Sequence, residues 1–321
     1  MVRFLARRLA YMFIAFLCIS LVTFMLMKMA PGSFFNANFQ VNGVSAVAGS
    51  YGVSPQFMDA LIKYYHLNDP WYVQWWYYVH GFLTWHMGTS FEYPGTRTVT
   101  IIDTAFPFSV RLALMAVATG VIIAIPIGVT AAMRENGWMD VGLMFFAMLG
   151  TSLPAYLVAV LLIVLFALWL HLLPVIGFTH PQDFILPVLS LALPMVGALS
   201  RYLRNSLIDS LHSEYVTGVI AKGGSLSRAV WRHALRNSLL PMITVVGPQL
   251  AGLMTGTVFI EEIFDLPGLG HYFVGAANVR DYPLIMDSAL LYATVILAMN
   301  LLVDLTYGLF DPRIRRAGDL G

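Results

Sequence analysis

The sequence predicts an all-α membrane protein with six transmembrane helices and both termini cytoplasmic. Three observations carry that reading. First, the 321 residues are 59% hydrophobic and only 11% charged, whereas a soluble domain is about 45–50% apolar and about 25% charged. So few charges do not cover a water-facing surface. Second, six stretches hold the roughly 20 mostly apolar residues that cross a bilayer core about 30 Å thick. Third, Lys and Arg are split unevenly between alternate connections, which sets orientation.

The apolar stretches are residues 9–27, 109–133, 141–170, 185–203, 241–260 and 284–309. The first follows Arg3, Arg7 and Arg8, the charge pattern of a secretory signal. Its apolar run is longer than a signal core, and Met27-Lys28-Met29-Ala30-Pro31 lacks small-x-small cleavage spacing, so a retained helix is expected. The third stretch is long enough to tilt, or to bend at Pro154. The fourth carries Pro187 and Pro194, tolerable where neighbouring helices satisfy the freed carbonyls. With the N-terminus inside, the inner segments carry Arg3, Arg7, Arg8, Arg134, Arg201, Arg204, Lys222, Arg228, Arg232, Arg236, Arg313, Arg315 and Arg316. The outer ones carry Lys28, Lys63, Arg97 and Arg280, with Arg111 at the boundary. The expected organisation is a first helix within residues 1–29, an extracytoplasmic segment 30–108, a five-helix core 109–311 containing a cytoplasmic loop 204–240, and a cytoplasmic tail 312–321.

Two connections are long. The outer one carries Trp71, Trp75, Trp76, Tyr77, Tyr78 and Trp85 in close succession. Such rings favour the membrane–water boundary; the segment is either an interfacial anchor or a contact surface for a partner or solute. A short helix is expected over residues 56–65, after Pro55. The inner connection reads as two helices joined by a glycine break. Leu207, Leu211, Tyr215 and Val219 recur every four residues, Gly223-Gly224 ends the first helix, and Ser225 or Ser227 caps the second. Arg228, Arg232 and Arg236 then share one face, suited to anionic headgroups or to a docking partner.

The chain lacks a G-x-x-x-x-G-K-[ST] phosphate loop, an H-E-x-x-H pair and a G-x-S-x-G elbow. It is therefore not read as an enzyme, and no catalytic residue, metal ligand or cofactor is assigned. A single cysteine, Cys18, excludes an internal disulfide framework. Of the charges within apolar stretches, Lys28 and Asp287 lie near helix ends, within reach of the interface. Asp304 is deeper, one turn after Asn300, and reads as a helix-packing group with a proton relay as the alternative. Secondary transport would call for buried relays or paired broken helices, and an intramembrane enzyme for a catalytic pair in facing helices.

The inner loop carries His212-Ser213-Glu214-Tyr215-Val216, Ala221-Lys222-Gly223 and Arg232-His233-Ala234-Leu235-Arg236-Asn237-Ser238-Leu239-Leu240-Pro241. This resembles the cytoplasmic loop of binding-protein-dependent permeases, and more narrowly the B-type permease subunit of oligopeptide and dipeptide importers of the ATP-binding-cassette class. Ala30-Pro31-Gly32-Ser33, Tyr65-His66-Leu67-Asn68-Asp69-Pro70, Gly247-Pro248, Ile260-Glu261-Glu262-Ile263-Phe264 with Leu266-Pro267-Gly268-Leu269-Gly270, and Asp311-Pro312-Arg313 extend the resemblance along the chain. One departure is plain: Thr217, Gly218, Val219 and Ile220 stand where the family usually has Thr-Ala-Arg before Ala-Lys-Gly.

The resemblance implies a type I importer permease fold. It implies a second, similar permease subunit, two cytoplasmic ATPase subunits that bind the ATP and Mg, an extracytoplasmic solute-binding protein and surrounding lipid, without nucleic acid. Glu214, Tyr215, Ala221, Lys222, Gly223 and Arg228 would couple to an ATPase. Trp75, Trp76, Glu261, Glu262, Pro267 and Gly268 would form an outer gate or receptor contact. Nickel or metallophore complexes, oligosaccharides and opines stay open as substrates beside peptides.

Overall fold

The computed structural model describes residues 2–30, 63, 66, 68–223 and 225–310. The helix expected over 56–65, the Pro31-Gly32-Ser33 motif, Gly224 and the tail from Asp311 lie outside these residues. Among the described residues the fold is all-α, with one isolated β-bridge between Thr89 and Arg97. The helices are α1 (Val2–Met29), α2 (Trp71–Leu83), α3 (Thr98–Met133), α4 (Trp138–Ser152), α5 (Ala155–Leu162), α6 (Ile185–Leu211), α7 (Glu214–Ala221), α8 (Leu226–Ala229), α9 (Leu235–Ile263), α10 (Leu269–Val279) and α11 (Tyr282–Phe310). Two π-helical turns, Ile163–Trp169 and Val230–Ala234, extend α5 and join α8 to α9.

Among the described residues, four helical segments are long and apolar enough to cross a membrane: Leu5–Met29, Thr98–Met133, Pro181–Leu211 and Tyr282–Leu305. The bent pair α4–α5 makes a fifth if counted as one span. The stretch expected as a fifth crossing at 241–260 lies in α9, which is not among those segments. Of the two alternatives for the third stretch, a tilt or a bend at Pro154, the structure shows the bend: two helices meeting at 109°. The cause is local: proline disfavours the helical region for the residue before it, and Leu153 sits at φ −98°, ψ 131°. The second helix also starts earlier than predicted, at Thr98, inside the segment assigned outside the membrane.

The chain divides into two compact units, one from Met1–Ser109 with Pro267–Ala298, the other from Val110–Leu266 with Met299–Gly321. In the first unit, α2 lies on α1. Phe82 meets Phe16 at 5.9 Å and Tyr78 meets Phe24 at 6.4 Å between ring centroids, and Trp75 Nε1 donates to Ser20 Oγ at 3.1 Å. Of the other α2 aromatics, Trp71, Tyr72 and Trp76 stay exposed and Tyr77 is half-buried.

In the second unit α6 is the central helix, packed against α4, α5 and α9. Glycines let it approach closely, the device by which helices associate where water gives no drive. A Cβ on Gly197 would lie 2.0 Å from the Ala147 carbonyl oxygen of α4, and one on Gly128 of α3 would lie 2.9 Å from the Ser200 carbonyl oxygen. The core between α3, α6 and α9 continues into the inner loop. Leu199, Leu203 and Leu207 of α6 pack in one cluster with Val216 of α7, Ala229 of α8, and Val230 and Ala234 of the π turn.

Candidate functional site

The inner loop is built as a platform with one face in the core and the other open. Helix α6 runs eight residues past the predicted end of its apolar stretch and stops at Leu211. Leu207 and Leu211 therefore belong to α6, and the expected four-residue stripe does not lie on one inner helix. The chain turns at His212 and Ser213, whose carbonyl accepts from the N–H of Val216 (3.2 Å) and Thr217 (3.1 Å), starting α7. Val216 of α7 is buried, while Glu214 and Tyr215 are exposed. Tyr215 reaches back across the loop: its hydroxyl accepts from Asn237 Nδ2 at 3.2 Å.

Helix α7 ends at the predicted break. Gly223 has φ +85°, the left-handed region in which a Cβ is penalised, and nothing lies within 4 Å of where its Cβ would stand. Its requirement is for backbone conformation, not space. Of the two capping serines considered, Ser225 caps: its hydroxyl accepts from the Arg228 N–H at 3.4 Å and its carbonyl from Ala229 at 3.0 Å. The π turn then buries Val230 and Ala234 and leaves Arg228, Arg232 and Arg236 exposed. Ser238 fastens α9 to α6, its buried hydroxyl lying 3.1 Å from the Ser206 carbonyl oxygen and 2.9 Å from Ser210 Oγ. The structure thus brings together Glu214, Tyr215, Ala221, Lys222, Gly223 and Arg228, all exposed, on a segment whose underside is core.

The outer candidates differ in exposure. Glu262 is exposed and Pro267 half-buried, but Glu261 and Gly268 are buried. Correcting the expectation, Glu261 at 0% exposure does not present its carboxylate for contact. Trp75 is half-buried and bonded to Ser20, leaving Trp76, 53% exposed, as the open ring of the pair. Asn300 is exposed and Asp304 half-buried on α11. Asp287, expected to reach the interface, is instead fully buried and accepts from Thr98 Oγ1 at 2.5 Å.

Two arrangements escaped the sequence reading. Asp281 caps α11, its Oδ1 accepting from the Leu284 N–H at 3.2 Å. Its Oδ2 accepts from the Ser90 hydroxyl and from the N–H groups of Phe91 (2.9 Å) and Glu92 (3.0 Å), pinning the loop 88–97 to the start of the helix. Burial pushes the Asp281 carboxyl above its ordinary range, against the pull of these four donors. Glu92 is pushed up too, by burial first and then by the Asp281 charge, with His271 opposing. In the second unit, Arg204 of α6 holds Asp140 of α4 with two bonds, Nε to Oδ1 at 2.7 Å and Nη2 to Oδ2 at 2.5 Å. An acid in the first turn of one apolar helix and an arginine near the inner end of the next was the available signal.

Comparison with known proteins fits this architecture. Residues 124–316 match the family described as binding-protein-dependent transport system inner membrane component. The dipeptide transport system permease protein DppB of Bacillus subtilis (strain 168) is 38% identical over 98% of this chain and 98% of its own length. The oligopeptide transport system permease protein OppB of Haemophilus influenzae is 36% identical over 98% of this chain and all of its own. Among solved structures, an amino acid ABC transporter crystallised with histidines aligns at TM-score 0.51 and 14% identity, over 65% of this chain and 93% of that one, a likeness of fold. A multi-span helical membrane component of an importer is the class so defined. The chain belongs to the binding-protein-dependent transport system inner membrane component family.

Proposed function

We propose that this chain is the permease subunit that, with a second and similar permease, forms the path for oligopeptides or dipeptides delivered by an extracytoplasmic solute-binding protein. Two cytoplasmic ATPases bind and hydrolyse ATP with Mg; this chain binds no cofactor. The peptide substrate is supported by what the full-length relatives are named for. In this reading the chain crosses a bacterial or archaeal plasma membrane six times, α9 included. Both termini are cytoplasmic, 30–108 is largely outside, and 204–240 is the inner loop.

One observation carries the coupling role. The exposed residues Glu214, Tyr215, Ala221, Lys222, Gly223 and Arg228 ride on Val216, Ala229, Val230 and Ala234, which share one core with α6. A push on such a platform moves the bundle helices with it, because packed cores transmit displacement instead of absorbing it. On the outer side, Trp76, Glu262 and Pro267 remain receptor contacts, Trp75 is an anchor, and Asp304 with Asn300 is a packing pair. The test is Gly223→Val in the full complex in proteoliposomes. Left-handed backbone costs a β-branched residue about 1–2 kcal/mol, so the platform re-forms differently, and peptide uptake falls while ATP hydrolysis continues. Gly223→Asn, which tolerates that conformation, retains more uptake. Wild-type uptake by Gly223→Val refutes the coupling role, and uptake of nickel complexes or oligosaccharides in place of labelled peptides refutes the substrate.

A further inference from the structure

The second unit holds a feature that the platform does not use. A cavity of about 290 Å³ opens between α4 and the second half of α6. Its polar lining includes Arg201, Arg204 and Asp140, and its apolar lining Val141, Met144 and Met148. That volume sits at the bottom of the range for small-molecule sites, about 300–1,000 Å³. Asp140 is saturated by Arg204 and by the Asn136 N–H at 2.9 Å, so the pair contributes no net charge. Glu135, the next nearest acid in sequence, faces His212 at 3.8 Å. Arg201 is left over: among the described residues it has no hydrogen-bond or ion-pair partner. The cavity therefore carries one uncompensated guanidinium.

Its position in the membrane follows from α4. The helix begins at Trp138, whose ring is 83% exposed, and exposed tryptophan marks the headgroup level. Val141, Met144 and Met148 follow at helical spacing, reaching about 15 Å further along the axis. Polar lining at the boundary followed by apolar lining toward the bilayer centre is the order of a phospholipid, head then tail. A guanidinium at that depth is costly unless paired, and its planar fork matches a phosphate in two bonds. A tightly docked partner helix would call for small residues, whereas this face exposes Val141, Phe145 and Met148.

We propose that this notch binds one anionic phospholipid, its phosphate on Arg201 and the first part of an acyl chain along Val141, Met144 and Met148. The His212–Glu135 contact places the notch at the platform's end of the unit, so the lipid comes from the leaflet that adjoins the platform. Naming that leaflet cytoplasmic rests on the orientation proposed above. Lipid bound there wedges between α4 and α6 beside the helix that carries the platform.

The test is native mass spectrometry of the complex with its partner subunits, titrated with phosphatidylglycerol or phosphatidylcholine. The expected result is a preference for phosphatidylglycerol that Arg201→Gln lowers by about fivefold, the value of one arginine near an anionic surface. Arg201→Lys retains most of it, Arg232→Gln leaves it unchanged, and Met148→Trp lowers it by filling the apolar end without touching charge. Equal phosphatidylglycerol occupancy in wild type and Arg201→Gln overturns the proposal. So does full displacement by inorganic phosphate, which marks a free-anion site. So does efficient crosslinking of Val141→Cys to the second permease, which marks a subunit interface. Uptake and ATPase binding are read on the same preparations, so loss of the lipid effect with intact transport leaves the transport reading standing.

Discussion

Asp281→Ala offers the most direct test of how loop 88–97 is held in the first unit. The Asp281 carboxylate accepts from the N–H of Phe91 and of Glu92, and it also caps α11 through Leu284. Hydrogen bonds to a charged group contribute about 1.5–3 kcal/mol each; taking the lower half of that range, the two N–H groups lose about 3–4 kcal/mol. The cap loses about 1 kcal/mol more. Removing a buried acid returns about 1–2 kcal/mol of desolvation. The net cost is about 2–4 kcal/mol, concentrated in loop 88–97. Amide exchange of the intact complex reads it locally. Peptides spanning Phe91 and Glu92 should lose protection by about 30- to 700-fold, at 1.4 kcal/mol per tenfold, while peptides in α6 are unchanged. Protection within about threefold of wild type would show that the Asp281 bonds do not hold the loop.

Other expectations can be checked on the same complex. The loop should be pH-sensitive. Because the Asp281 and Glu92 carboxyls are raised in the folded chain, their contribution is fully present below the unfolded values of about 3.9 and 4.3. It is lost as pH rises through the raised values, so protection of 88–97 declines from pH 4 toward neutrality, and Asp281→Asn flattens that decline; an unchanged slope in the variant rejects the assignment. Gly197→Ala sets a Cβ 2.0 Å from the Ala147 carbonyl oxygen and should destabilise the α4–α6 packing by about 1–3 kcal/mol, seen as a lower thermal aggregation midpoint. Trp75→Phe removes the indole donor to Ser20 and should cost about 1 kcal/mol of stability with receptor affinity intact. Trp76→Ser should do the reverse, and affinity lost in Trp75→Phe alone would return that ring to the contact surface.

By itself the sequence determined what depends on composition and local chain chemistry. Eleven per cent charge demands lipid for a solvent. The glycine turn at Gly223, the cap at Ser225 and the break before Pro154 follow from backbone preferences that each residue carries wherever it is placed. The six candidate residues of the inner loop lie within fifteen positions of one another, so local chain chemistry alone sets them on one segment. What only the tertiary structure decided are the contacts between distant positions. Asp281 meets Phe91 across 190 residues and Arg204 meets Asp140 across 64. Whether Glu261 faces outward or inward, and whether Trp75 is free or held by Ser20, depends on which neighbour covers it. Periodicity assigns a residue to a face of its helix, but burial is a property of two surfaces that meet. The second surface is chosen by packing, and a pattern along one segment contains no record of it.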